Sequence, residues 1–259
     1  MELDYFERKY GRALKFEKRE KDSEDMKIRD EVFDKPTLMA LYELSNRGYV
    51  SYVNGVISTG KEANIFKGKD REENLIALKI YRISTSDYRN MLKYIEGDPR
   101  FTRIKRSRKE IVYTWAQKEF KNLKRAFDAK VRVPKPIVQS RNVLIMEFIG
   151  VNGTPAPRMK DYPPENPKIV YNLILDYLRR LYCDARLVHG DLSEYNVLIT
   201  DEPVIIDMSQ SLDVRHKMSH ELLKKDIENL NKFFRKNRVD VIDSDEILKE
   251  ILKCERFST

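Results

Sequence analysis

The stretch LVHGDLSEYNVLITDEPVIID, residues 187–207, decides how the rest of the chain is read. It enters on apolar Leu187 and Val188 and turns at His189, Gly190 and Asp191. A polar loop follows, then two short apolar runs, residues 196–200 and 203–206. Asp201, Glu202 and Pro203 join them, and residue types of that kind between apolar runs spell a hairpin turn. Asp207 closes the second run. One hairpin therefore ties together Asp191, Asn196 and Asp207, whose side-chain oxygens suit Mg2+ and a phosphoryl acceptor. Taken singly, Asp and Asn are ordinary turn residues. Their order and spacing together point to chemistry.

The chain has 259 residues, enough for one large domain or two lobes with a proper core. Charged residues make up 36% and the net charge is +8, which favours an anionic partner such as nucleotide, RNA or a ribosomal surface. The two cysteines, Cys183 and Cys254, sit at no metal-ligand spacing and outline no disulfide framework. Cys183, inside an apolar helical pattern, reads as a buried thiol. There is no signal peptide and no apolar run of about 18 residues, so the expectation is a soluble, cytoplasmic chain with no membrane partner.

Working outward, residues 1–31 mix acids and bases densely and read as a solvated helix or frayed arm. Asp34 can cap a helix, Pro36 fits its first turn, and Leu38, Leu41, Tyr42 and Leu44 form its stripe. Strands are predicted over residues 49–57, 63–67 and 75–81. Residues 55–61 spell most of a Walker A loop, but Glu62 stands where a hydroxyl is needed and a strand follows where a helix should. A strand-turn-strand whose backbone covers phosphates fits better, with Ser58, Gly60 and Lys61 at the turn. Lys79 lies inside an apolar strand, where lysine needs a partner. A helix over residues 109–127 carries Ile111, Trp115, Leu123 and Phe127 on its stripe, and Glu119 falls on that same stripe. Lys79 is the expected partner of Glu119.

Residues 84–108 show no clean period and read as a mobile loop or helix fragments. Ser107, flanked by Lys105, Arg106, Arg108 and Lys109, is the candidate phosphorylation site there, with Thr102, Ser84 and Ser86 as alternatives. Pro134 and Pro136 introduce an edge strand, and residues 142–148 a buried one. Helices are predicted over residues 168–185, with Ile169 inside, and over 217–236 and 243–254, the last capped by Asp243.

Three segments carry a family resemblance: STGKEANIF at 58–66, HGDLSEYN at 189–196 and IDMSQS at 206–211. The chain resembles the RIO-type atypical protein kinases, their first subfamily in particular, over residues 35–254. The resemblance implies an α+β, two-lobed protein-kinase-like fold with a trimmed C-terminal lobe. An N-terminal helical extension (1–48) would precede an N-terminal lobe (49–149) and a C-terminal lobe (150–259). It implies ATP bound between the lobes with Mg2+ or Mn2+, Lys79 on the phosphates and Glu119 orienting it. Met146 would line the adenine site, and backbone at Glu147 and Ile149 would bind adenine. Asp191 would be the catalytic Asp, with Asn196 and Asp207 as metal ligands. It further implies maturation of the small ribosomal subunit or contact with its RNA, ATP hydrolysis through phosphorylated Asp207, and a monomer or weak dimer. Gly190 stands where ordinary protein kinases carry Arg, and the segment after Asp207 is short, so classical peptide docking is not expected.

Two rival functions remain open from sequence. A small-molecule phosphotransferase of the aminoglycoside or choline kinase type shares H-G-D-L-x-x-x-N, although residues 58–66 and 209–211 speak against it. A nucleotide-switched RNA- or ribosome-binding scaffold would not need Lys79, Asp191, Asn196 and Asp207 all intact.

Overall fold

The computed structural model describes residues 15–16, 32–84, 87–101 and 104–254. They fall into two compact units, one drawn from Met1–Leu92, Ile104–Phe120 and Pro136–Phe148, the other from Lys93–Arg103, Lys121–Lys135 and Ile149–Thr259.

The first unit is built on a six-stranded sheet. Its strands are β1 (Lys15–Phe16), β2 (Tyr52–Thr59), β3 (Ala63–Lys69), β4 (Leu75–Tyr81), β5 (Pro136–Ser140) and β6 (Val143–Glu147), in the order β1-β2-β3-β4-β6-β5. All neighbours are antiparallel except β1 and β2. The β1 pairing revises the helix-or-arm expectation for Lys15 and Phe16; the rest of residues 1–31 lies outside the described residues. Residues 76–81 of β4 are buried throughout, as the apolar run requires of a strand paired on both edges. A Cβ at Gly68 would come within 2.8 Å of Tyr52 O, so only glycine lets β2 and β3 approach there.

Helix α1 (Lys35–Asn46) lays Leu38, Leu41 and Leu44 into the same core as Phe66, Leu78 and Ile145. Asp34 caps it, Oδ1 accepting from Thr37 N at 2.9 Å, a contact worth about 1 kcal/mol. Within the segment read as aperiodic lies α2 (Tyr88–Ile95), which buries Met91 and Ile95. Its eight residues make only about two turns, too few for a period to stand out. Helix α3 (Arg108–Asp128) starts on Ser107, whose Oγ accepts from Glu110 N at 3.3 Å. Its buried stripe ends on Ala126, three residues after Leu123, leaving Phe127 38% exposed.

In the second unit α4 (Pro167–Cys183) buries Tyr171, Ile174, Leu178 and Leu181. Ile169, two residues before Tyr171 and so on the opposite side of the helix, is 59% exposed, against the sequence expectation. The strands are short: β7 (Gly150–Val151) pairs with β8 (Thr154–Pro155), β9 (Leu187–Val188) with β12 (Leu212–Asp213), and β10 (Val197–Leu198) with β11 (Val204–Ile205). Helices α5 (Ser219–Lys236) and α6 (Ser244–Leu252) complete it, α6 capped by Asp243.

Cys183 and Cys254 form a disulfide, with Cα atoms 5.6 Å apart across 71 residues of sequence. This corrects the buried-thiol reading. Spacing along a chain says nothing of proximity, and here the end of α4 meets the residues just past α6. No described helix is long and apolar enough to cross a membrane.

Candidate active site

The hairpin of β10 and β11 pairs Val197 with Ile205 and Leu198 with Val204. Ile206 N donates to Asn196 O at 3.0 Å, so Asn196 and Asp207 sit at its open end. Across the loop, Asn196 Nδ2 donates to Asp191 O at 2.8 Å and Asp191 Oδ2 at 3.3 Å. That spends the amide hydrogens on Asp191 and turns the amide oxygen, a hard donor, away from them. Gln210 Nε2 also reaches Asp191 Oδ2, at 3.4 Å.

The turn before Asp191 is fixed from beneath. His189 is fully buried; its Nδ1 accepts from Asp191 N at 3.3 Å, so Nε2 carries the ring hydrogen and donates to Ile206 O at 3.1 Å. Gly190 has φ +83°, a conformation L side chains rarely adopt. Asp226 of α5, itself fully buried, accepts from Gly190 N at 2.8 Å through one oxygen and from Leu192 N at 2.7 Å through the other. The two amides flanking Asp191 are thus held by one carboxylate. Burial pushes Asp226 up to about 7, against the lowering effect of those two bonds.

Asp191 is also raised, first by burial and then by the negative charge of Asp207, while Lys225 and the Asn196 bond pull it down. Asp207 stands at φ +60°, a left-handed conformation that Asp tolerates better than most side chains. Ser209 Oγ donates to Asp207 Oδ1 at 2.6 Å. From α3, Asn122 Nδ2 donates to Met208 O at 2.8 Å and Ser211 O at 3.0 Å, pinning the turn that follows Asp207.

The first unit holds most of the other candidates. Lys79 Nζ donates to Glu119 Oε1 at 2.9 Å, with side-chain exposures of 7% and 1%. Glu119 therefore lies within the apolar stripe and not in water at its edge. Tyr81, two residues along β4, donates its hydroxyl to Glu119 Oε2. Ser58 pairs with Ile65 at the end of β2, and Gly60 N donates to Ala63 O at 3.0 Å in the turn beyond, where Lys61 is exposed. Met146 and Glu147 lie on β6, opposite Ala77 and Ile76. Ile149 belongs to the second unit, where its carbonyl accepts from Ala156 N at 3.0 Å. Ser107 is exposed at the start of α3, and Arg108 Nη1 reaches the backbone oxygen of Ser84. Thr102 and Ser86 lie outside the described residues.

The structure thus gathers Lys79 with Glu119 in one unit and Asp191, Asn196 and Asp207 in the other. Among the described residues no cluster of three His, Cys, Asp or Glu side chains could hold a metal alone. Asn196 and Asp207 fit a Mg2+ ion whose remaining ligands are phosphate and water oxygens, the usual habit of that ion. Sequence reasoning missed Asp226, Asn122 and Tyr81, and singled out the segment holding Ser209 and Gln210 without giving either a role. Asp226 could have been found: it falls on the stripe of Leu222, Leu223, Ile227 and Leu230, the signal that singled out Glu119.

Comparisons with known proteins give the family. A family profile for the RIO domain matches residues 64–247. The RIO-type serine/threonine-protein kinase Rio1 of Haloferax volcanii is 44% identical over 95% of this chain and 85% of its own length. Its namesake in Methanocaldococcus jannaschii is 43% identical over 90% and 80%. The serine/threonine-protein kinase RIO1 of Homo sapiens is 39% identical over 88% of this chain, which spans 41% of that protein. Among solved structures, the Rio2 kinase-ADP/Mg2+-phosphoaspartate complex from Chaetomium thermophilum superposes with a TM-score of 0.66. It covers 84% of this chain and 67% of its own at 23% identity, which supports the protein-kinase-like α+β fold. With its HGDLSEYN and IDMSQS segments and its profile match over most of its length, the chain belongs to the RIO family, in the Rio1 group.

Proposed function

We propose that this chain is an ATP-dependent protein serine/threonine phosphotransferase that uses Mg2+ or Mn2+ and also hydrolyses ATP. The observation that carries the reading is the arrangement of Asp191, Asn196 and Asp207 around one hairpin, with its flanking turns braced by Asp226 and Asn122. Phosphoryl transfer asks a protein mainly for positioning and charge neutralisation. Lys79, oriented by Glu119, would hold phosphate oxygens. Asn196 and Asp207 would hold the cation, which when bound neutralises charge on the phosphates. Asp191 would orient the attacking hydroxyl and take its proton; its raised affinity for protons makes it a better base than an ordinary carboxylate.

A branch through Asp207 is included in the proposal, and the phosphoaspartate of the Rio2 kinase complex from Chaetomium thermophilum supports it. A carboxylate oxygen of Asp207 would attack the γ-phosphorus as the bond to the β-phosphate oxygen breaks, releasing ADP. Water would then cleave the acyl phosphate. The net charge of +8 supports a ribosomal-RNA partner, in keeping with a role in small-subunit maturation. Ser107, exposed at a helix start, would be the self-phosphorylation site; a phosphate there meets the favourable end of the α3 dipole.

The test is incubation with γ-labelled ATP and Mg2+, followed by mapping of the label. Acid-stable label on serine supports the kinase, and hydroxylamine-labile label on Asp207 supports the hydrolytic branch. Transfer only to added small alcohols would replace the reading with a small-molecule phosphotransferase. No turnover at all would leave a nucleotide-switched scaffold.

A further inference from the structure

We propose that Tyr81 is a positioning residue that holds the Lys79–Glu119 pair in the arrangement needed for nucleotide phosphates. This rests on the function proposed above. Tyr81 touches both partners. Its hydroxyl donates to Glu119 Oε2 while Lys79 Nζ takes Oε1 at 2.9 Å, so each carboxylate oxygen is gripped by a different donor. Its ring faces the ammonium, with Lys79 Nζ 5.3 Å from the centroid, within cation–π range. Residues 79 and 81 are two apart on β4 and so project to one face of the sheet. Tyr81 and Glu119 are each 1% exposed.

The chemistry follows from the charges. A lysine paired with a carboxylate alone is largely neutralised by it, and the carboxylate can rotate about its last bond. A phenol hydroxyl is a neutral donor. On Oε2 it fixes the carboxylate plane and draws off part of its negative charge, so Glu119 aims the ammonium while leaving it attractive to phosphate. The ring offers the same ammonium a second, weakly attractive wall.

Tyr81 is itself tethered. Asn142, fully buried, donates through Nδ2 to Tyr81 O at 2.8 Å and to Thr37 Oγ1 at 2.7 Å. The single hydroxyl hydrogen of Thr37 goes to Asp34 Oδ1 at 2.6 Å, so its oxygen accepts from Asn142, which fixes the orientation of that amide. A buried polar string thus runs from the cap of α1 to the backbone of Tyr81, and successive bonds of this kind reinforce one another.

Tyr81→Phe keeps the ring and removes the hydroxyl. The expected result is about tenfold weaker ATP binding, the scale of a lost hydrogen bond to a charged group, with KM changing more than kcat and the circular dichroism unchanged. In a cycle with Glu119→Gln the two losses should be strongly non-additive. A second arm needs no nucleotide: acylation of Lys79 by N-acetoxysuccinimide, followed by mass spectrometry, should run several-fold slower in Tyr81→Phe, because the unrelieved carboxylate holds the ammonium proton more tightly. Should that variant fail to fold, Thr37→Val cuts the tether and should shift labelling in the same direction. Wild-type affinity together with wild-type labelling overturns the proposal. If the unmodified protein binds no ATP, the proposed function falls instead, and the labelling arm alone decides the role of Tyr81.

Discussion

Two ways of fixing a charged side chain coexist in this molecule. Lys79 and Glu119 ride on a regular strand and a regular helix, and their positions follow from backbone periodicity and an apolar core. Asp191, Asn196 and Asp207 ride on loops joined to two-residue strands, and their positions depend on buried polar anchors brought from other elements. The first arrangement tolerates the loss of a contact because the elements persist. The second has no such reserve: without Asp226 the turn around Asp191 keeps its sequence and loses its shape.

The largest effect expected is on turnover. Asp207→Asn should lower kcat by roughly a thousandfold, the scale of losing a main electrostatic contributor, with an unchanged melting curve. Wild-type turnover by the folded variant would remove Asp207 from the site. Next comes Asp226→Ala, which strands two buried amides and should cost about 3 kcal/mol in urea unfolding, together with most of the activity. A loss below about 1 kcal/mol would show that the loop holds itself, and the contrast between the two units would collapse.

For the first unit a double-mutant cycle of Lys79→Ala and Glu119→Ala should return about 2 kcal/mol of coupling in stability, because either single change leaves a buried charge unpaired. Additive losses would mean that the two act independently. A smaller effect concerns pH. Asp226 is raised by burial to about 7, so folding retains a proton that the unfolded chain releases in the ordinary carboxylate range. Its contribution is therefore complete below that range and is lost as pH rises to about 7. Asp226→Asn should flatten the decline in urea midpoint between pH 5 and 8 relative to the parent; identical slopes would contradict the raised value. Smallest of all, phosphate on Ser107 should shift the melting temperature by a few degrees at most, and mass spectrometry after incubation with ATP shows whether it forms.

The same contrast explains what could be read from sequence. Helices α3 and α5 show their stripes, α6 its stripe and its cap, and β4 its unbroken apolar run, so their type and rough extent follow from local pattern. The hairpin under Asn196 and Asp207 is visible because its turn residues are Asp, Glu and Pro. The partners of the braces were hidden. Asn122 and Asp226 act on backbone atoms 86 and 36 residues away, and no local pattern encodes such a partner. Phe127 and Ile169 misled because an apolar residue at a helix end satisfies the stripe without having to be covered.

The bond between Cys183 and Cys254 has a topological consequence. It closes a covalent ring over the intervening sequence, and Asp191, Asn196, Asp207 and Asp226 all lie inside that ring. Closing a loop of this size removes enough freedom from the unfolded chain to stabilise the fold by about 4 kcal/mol. A protease that nicks an exposed turn within it, such as the one at Asp201, would leave one molecule whose fragments migrate together until a reductant is added. The turn around Asp191 and the helix that braces it are then cut in sequence yet remain linked, and they can find each other again without diffusing apart.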